Sequence, residues 1–417
     1  MILLAPESYR AVAWSRLDRA LWVPPEGLGW FAAHVPITGG LARTMTALLL
    51  AGALFSLIGF HTRLALLVTT VAGFYVLALS QLAGSVLHDM HLLWFTALLA
   101  ASPSGDALSI DARRSRPGGE VPEGRAYGFS IDVACLLFGA IYFFPGLWKL
   151  LSSGPAWIFS DNLRNQMYWK WFEAGGWTPA LRIDRWPWLC RAGALGVVAF
   201  ELGFPLCMLY RPLRPVAAAS GVVFHVLTEA LLKIPFFALW GLYLVMIDCR
   251  RVGAWAGWAV RRARASPGGP GRLALAVGTG LLVAAVVQGG RGAVQAWPFG
   301  CYPTFQWRVA SEIPDVGLEA VRVDGSRAEI LLGGRSNQAW ALAWRVGGAY
   351  GGQASPESLQ AYWRFVRREP VVRAGAAGAR RIRFFRVLRS VVPEERERPA
   401  RRVQYLGEIQ PEEFPGR

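Results

Sequence analysis

Five ionisable residues in the apolar part of this sequence could do chemistry that their neighbours could not. Lys149 ends the run YFFPGLWKLL, residues 142–151, in a chain that uses 3 lysines against 41 arginines. Where arginine is the default cation, a lysine placed against apolar residues offers something arginine lacks, since it can lose its proton. Two accounts of it compete. Its aliphatic stem can lie in lipid while the ammonium snorkels to the interface. Alternatively, the amine can sit in an apolar pocket between helices, which disfavours a charged group and suits a base. His225, in SGVVFHVLTEALL, lies deep in an apolar stretch with Thr228 and Glu229 one turn on. A core histidine bonded to a backbone carbonyl is the plain alternative. Glu201, in VVAFELGFPL, is too deep to snorkel, so it either pairs with a basic group or is protonated there. His88 and His91, in LHDMHLL, share a helical face at i, i+3. Two imidazoles fall short of a zinc ligand set, and no metal site is expected. Ionisable groups of this kind are expensive in a membrane, face the bundle interior, and default to function.

The elements that must position them follow from composition. Of 417 residues, 53% are hydrophobic and only 17% charged, against about 25% charged in soluble domains. Apolar segments near the ~20 residues that cross a bilayer fall at 42–60, 64–82, 89–103, 128–151, 190–210, 213–231, 234–248 and 272–290. The expected fold is therefore an all-α polytopic membrane bundle of about eight spans. A ninth is added if the N-terminal segment also crosses. There Arg10, Arg16, Asp18 and Arg19 sit among Ala, Val, Trp and Leu, which reads as an interfacial amphipathic helix or a poor first span. The first residues lack the basic start and apolar core of a cleavable signal peptide. Much of the +16 net charge falls in loops between spans, which argues against nucleic acid as a partner and for membrane lipid. The five cysteines are scattered without CxxC pairing and read as packing residues.

Arginine-rich links at 104–127, 211–214 and 249–272 alternate correctly if all three are cytoplasmic. On that topology His88, His91, Lys149 and the outer half of the His225 span share one outward-facing polar pocket. The connection 152–189, with six tryptophans including Trp157, lies on the same side. It is an interfacial helix pair or a lid. Residues 1–292 form the membrane domain. Residues 297–417, with 19 Arg against 13 Asp plus Glu, form a small outer-side α+β domain. In it LEAVRVDGSRAEILL signals a hairpin at Asp324-Gly325. SPESLQAYWRFVRRE reads as a helix capped by Ser355, and ARRIRFFRVLRSVV as a half-buried strand.

The segment IYFFPGLWKL followed by SGPAW resembles the catalytic-lysine segment of the vitamin K-dependent γ-carboxylase family. The wider group is the HTTM (horizontally transferred transmembrane) domain. LGWFAAHV, LIGFHTRLALL, LHDMHLLWFTALLAASPSGDALSID and FELGFPLCMLYRPLRPVAAASGVVFHVL follow in the family's order, over roughly residues 5–250. The resemblance implies that Lys149 is the base that deprotonates a vitamin K hydroquinone or menaquinol-like quinol. It also implies O2 as cosubstrate, and CO2 where a peptide glutamate is carboxylated. His88, or His91, matches the histidine opening the short span, and His225 the later one. With Lys149, His225 and His88 as the catalytic set, His91, Glu201, Trp148, Trp157 and Thr228 become substrate-binding candidates. The departures are HVLTEALL after the later histidine, where the family has amide and hydroxyl residues, and an outer domain much smaller than a carboxylase's. The implied setting is a bacterial inner membrane. The rival is a non-catalytic membrane partner for export or maturation of a secreted peptide or protein. A proton-coupled transporter using Glu201 and His225 ranks last, since no inverted repeat is visible.

Overall fold

A computed structural model describes residues 5–82, 88–115, 121–123, 125–247, 263–265, 269–293, 296–301, 305–330, 332, 342–343, 346–347 and 354–411. Helices α1 (Ala5–Trp14) and α2 (Leu28–His34) precede two long helices, α3 (Gly39–Ile58) and α4 (Thr62–Gln81). The short α5 (His91–Ala101) and α6 (Ile110–Ser115) lead to α7 (Arg125–Ser153). The Trp-rich connection folds into α8 (Ala156–Phe159) and α9 (Asn162–Glu173). Then come α10 (Pro187–Leu209), α11 (Arg214–Leu232), α12 (Phe237–Trp240) and α13 (Arg272–Gly290).

Six helices among the described residues are long and apolar enough to cross a membrane: Gly39–Ile58, Thr62–Gln81, Tyr127–Ser153, Pro187–Leu209, Arg211–Leu232 and Arg272–Gly290. The expectation of about eight spans is not confirmed: two of the expected segments do not form helices of that length. The segment 89–103 becomes α5, whose 11 residues reach ~16 Å, about half of the ~30 Å hydrocarbon core. The segment 234–248 breaks into α12 and a six-residue 3-10 turn, Gly241–Met246. Pro235 lacks the N–H that a continuous helix needs, and Phe236 has φ 44°. At ten residues α1 is also too short to span. It packs on α3 and α4, with Ala11 and Trp14 buried.

Local chemistry sets the ends of the long helices. Thr38 caps α3, its hydroxyl accepting from Leu41 N at 3.2 Å, and Gly59 ends it in the left-handed conformation. The start of α4 is capped from a distance. Asp111 accepts from the amides of His61 (3.0 Å) and Thr62 (2.7 Å) and from the Thr62 hydroxyl (2.7 Å). Helix α7 is central and packs against α10 and α13, while α5 packs against α4 and α13. Trp94, Phe138, Phe204 and Tyr243 form the heart of this bundle. At one end of α7, Asp132 is clasped by Arg211 (3.1 Å) and Arg214 (3.2 Å). Lys149 lies near the other end. Cys135, Cys190, Cys207 and Cys301 are free thiols, and Cys249 lies outside the described residues.

The C-terminal region carries a four-stranded antiparallel sheet. Strands β1 (Glu312–Arg322), β2 (Arg327–Ile330), β3 (Ala379–Ser390) and β4 (Arg401–Ile409) are ordered β2-β1-β3-β4. The Asp324-Gly325 hairpin forms as expected: Val321 pairs with Arg327 and Gly325 takes φ 81°. Ser355 caps α14 (Pro356–Val366) in a reciprocal capping box with Ser358. Leu359, Tyr362 and Trp363 of α14 join Leu318 and Phe384 of the sheet in one buried cluster. That cluster runs on into Trp14, Leu21 and Leu28, so the two ends of the chain share a core. An Arg364–Asp18 ion pair of 2.6 Å ties them at its edge.

Candidate active site

Lys149 occupies the last turns of α7, after Pro145. Pro145 has no N–H for the carbonyl of Ile141, so the helical ladder is interrupted one turn before the lysine. The side chain does not snorkel, being only 2% exposed. Its Nζ donates to both carboxylate oxygens of Glu201, at 2.7 and 2.8 Å. Glu201 comes from the middle of α10 and is also buried. The two helices approach because residue 146 is glycine. A Cβ there would lie 2.8 Å from Glu201 Cβ and 3.3 Å from its Oε2. The Lys149 ammonium also lies 5.3 Å from the centre of the Trp157 ring, within cation–π range.

The pair borders a cleft between the helices that opens to the outside. Its walls are mostly apolar: Ile141 and Pro145 from α7, Val197 from α10, Phe224 and Leu232 from α11, and Leu239 from α12. His88, Tyr142, Gln166 and Thr228 add polar groups. The Trp-rich connection supplies Trp157, Leu163 and Gln166, so it forms one wall. Phe305, at the entry to the C-terminal region, also lines the cleft and accepts a 2.8 Å bond from the Trp157 indole N–H. Its φ of 58° is an uncommon conformation for a bulky residue. Ser153, at the end of α7, bonds the carbonyl of Gln306 at 3.1 Å.

The sequence-predicted residues separate into two groups. Lys149, Glu201, His88, Trp157 and Thr228 meet at the cleft. His225 lies behind it, fully buried, with Nε2 2.8 Å from the hydroxyl of Tyr142. That hydroxyl is also 2.8 Å from the hydroxyl of Tyr243. Tyr243 reaches this point because residue 221 is glycine, where a Cβ would overlap the phenol ring. Phe236 bridges the two histidines, its ring centre 5.1 Å from that of His88 and 5.8 Å from that of His225. His91 is fully buried beside His88, with Nε2 3.1 Å from the Gly300 carbonyl. Trp148 points to α13 and donates to the Gly289 carbonyl at 2.7 Å. His91 and Trp148 thus brace the bundle and do not line the cleft. Among the described residues, no group of three or more His, Cys, Asp or Glu could hold a metal ion.

Sequence reasoning did not single out Tyr142, Gln166, Phe236 or Phe305. Tyr142 carried a usable signal: it precedes Lys149 by seven residues, two helical turns, and so shares its face. Phe236 and Phe305 come from a break and a loop, for which helical periodicity gives no guide, and Gln166 from α9, whose sequence mixes polar and aromatic residues without a clear apolar face.

A family model of the HTTM domain matches residues 26–252. That stretch holds every cleft residue named above except Phe305. No curated protein and no solved structure matches the chain.

Proposed function

Because this chain belongs to the HTTM domain family, we propose that it is an integral membrane enzyme related to the vitamin K-dependent γ-carboxylases, deprotonating and oxygenating a lipid-soluble quinol. The observation that carries this reading is the Lys149 side chain, buried at the wall of a mostly apolar cleft between the helices. Apolar walls suit the ring and tail of a naphthoquinol, and exclusion of water protects a strongly basic product of deprotonation. The Lys149 amine takes the hydroxyl proton. His88 and Thr228 on the cleft wall orient the ring oxygens, and Tyr142 does so with His225 behind it. The overall change balances as quinol plus O2 giving quinone epoxide plus water, with both substrates arriving from outside. The cleft faces the outer side of a bacterial inner membrane, where a secreted peptide substrate could offer a glutamate for carboxylation by CO2.

The test is aerobic turnover of a reduced naphthoquinone by purified protein beside folded Lys149→Met, with products identified by mass spectrometry. Epoxide from the wild type alone supports the proposal, and added peptide glutamate with labelled CO2 then reads out carboxylation. Quinol binding without epoxide would favour the non-catalytic partner in export or maturation.

A further inference from the structure

An amine that is to accept a proton must first be without one. Lys149 instead donates to both oxygens of Glu201, as an ammonium facing a carboxylate does. Both groups are buried, and Glu201 makes the only hydrogen bonds to Lys149 Nζ among the described residues.

We propose that Glu201 takes the proton of Lys149, so that the pair stores the proton at two sites, charged at rest and neutral when quinol is bound. This assignment rests on the quinol reading above. Moving one proton along a 2.7 Å hydrogen bond converts ammonium and carboxylate into amine and carboxylic acid. The hydrogen bond survives with its direction reversed, and the site's net charge does not change. A water-poor cleft favours that shift, because it removes two buried charges at once. The free electron pair of Lys149 then accepts the quinol hydroxyl proton, leaving an ammonium beside the quinolate. Oxidation of the quinolate by O2 forms the epoxide and releases hydroxide. The proton held by Glu201 joins that hydroxide as water, which restores the carboxylate and closes the cycle.

Two other titratable groups share the cleft with the pair, and three more stand behind them. Tyr142 lies on α7 itself and His88 borders the same cleft. His225 and Tyr243 stand behind Tyr142, and His91 lies beside His88. Gly146 and Pro145 fix the backbone opposite Glu201 and add no ionisable group.

The decisive variants are Glu201→Gln, which can accept a hydrogen bond from the ammonium but no proton, and Glu201→Asp. Turnover of a reduced naphthoquinone is followed from pH 6 to pH 9, with folding checked by thermal unfolding. Glu201→Gln is expected to lose about 100-fold in kcat, a loss typical of a missing proton acceptor, with anaerobic quinol binding retained. Its kcat should climb with pH, because solvent hydroxide must now deprotonate the lysine. Glu201→Asp should recover part of the rate and the wild-type profile. A folded Glu201→Gln protein with the wild-type profile overturns the assignment, whether or not its rate has fallen. An anaerobic infrared difference spectrum separates this result from failure of the quinol reading. A protonated-carboxyl band on quinol binding, absent in Glu201→Gln, supports the proton transfer even where no epoxide forms. Absence of the band in a quinol-bound wild type overturns it.

Discussion

Tyr142 stands between His225 and the cleft. Its hydroxyl is 2.8 Å from the imidazole Nε2, and the tyrosine, not the histidine, lines the cavity. Any influence of His225 on a bound molecule therefore passes through the phenol. Tyr142→Phe should leave Nε2 and the Tyr243 hydroxyl buried without that partner, lowering stability by about 1–3 kcal/mol. Turnover should fall with it. Because the two residues act in series, Tyr142→Phe/His225→Ala should lose no more turnover than the worse single variant. Losses that add would show that they act independently.

Removing one half of the buried pair should harm folding as well as chemistry. Lys149→Met leaves a carboxylate in apolar surroundings, and loss of one partner from such a pair typically costs about 3–5 kcal/mol. Lys149→Met/Glu201→Leu removes both charges, so its thermal midpoint should return towards wild type while turnover stays absent. Recovery of turnover in the double variant would contradict a lysine base.

Gly146→Ala tests the contact that sets the pair's geometry. The added Cβ would lie 2.8 Å from Glu201 Cβ, so α7 and α10 must separate or the carboxylate must shift. Overpacking of this kind costs about 1–3 kcal/mol, and turnover should fall by more than the loss of folded protein explains. Comparing unfolding midpoints with kcat/KM for the folded fraction decides it. Unchanged kinetics would mean that the pair tolerates displacement.

The link between the Trp-rich connection and the C-terminal region should weaken in acid. Burial alone would raise the Asp184 carboxyl, but hydrogen bonds from Arg182 and Tyr168 outweigh it and hold it below the usual range. A carboxylate depressed in this way contributes stability above its unfolded value, about 3.9, and loses it as pH falls through the folded value. Arg182 also reaches Glu394 at 3.3 Å, so the clasp joins the connection to the residues beyond β3. Limited proteolysis between pH 5 and pH 3 should show 174–186 becoming cleavable as the pH falls. Asp184→Asn should be cleaved there already at pH 5. Equal resistance in both proteins would locate the docking elsewhere, in the apolar contacts of Met167, Tyr168 and Trp171 with Ile313 and Val391.

Much of this arrangement was legible in residue types, because rare choices mark constrained places. A glutamate too deep to snorkel implied either a basic partner or a proton, and Lys149 is that partner; the lysine itself was read as a snorkelling cation or a base in an apolar pocket, with no partner foreseen. Asp-Gly at a hairpin and Ser before a helix carry their geometry locally, so both were read correctly. The span count was not legible: residues 89–103 and 234–248 are apolar enough, and helix length and a proline decide the outcome. Nor was the fate of the tryptophans. Trp157 and Trp171 satisfy their N–H groups on the carbonyls of Phe305 and Leu231 and are fully buried, whereas Trp186 and Trp188 stay exposed. Composition alone treats all four alike. Strand β4 was missed because its first five residues are exposed, which erases the alternation that marks a half-buried strand.

Phe305 closes a wall around groups that were synthesised long before it. During biosynthesis Lys149 and Glu201 enter the bundle and can pair while the ribosome is still distant from residue 305. A nascent chain paused in that interval has the buried ion pair but an unfinished cleft, open where Phe305 will later bind the Trp157 indole. The chain thus installs its buried Lys149–Glu201 pair first and its enclosure last, and a product shortened before this loop inherits the first without the second.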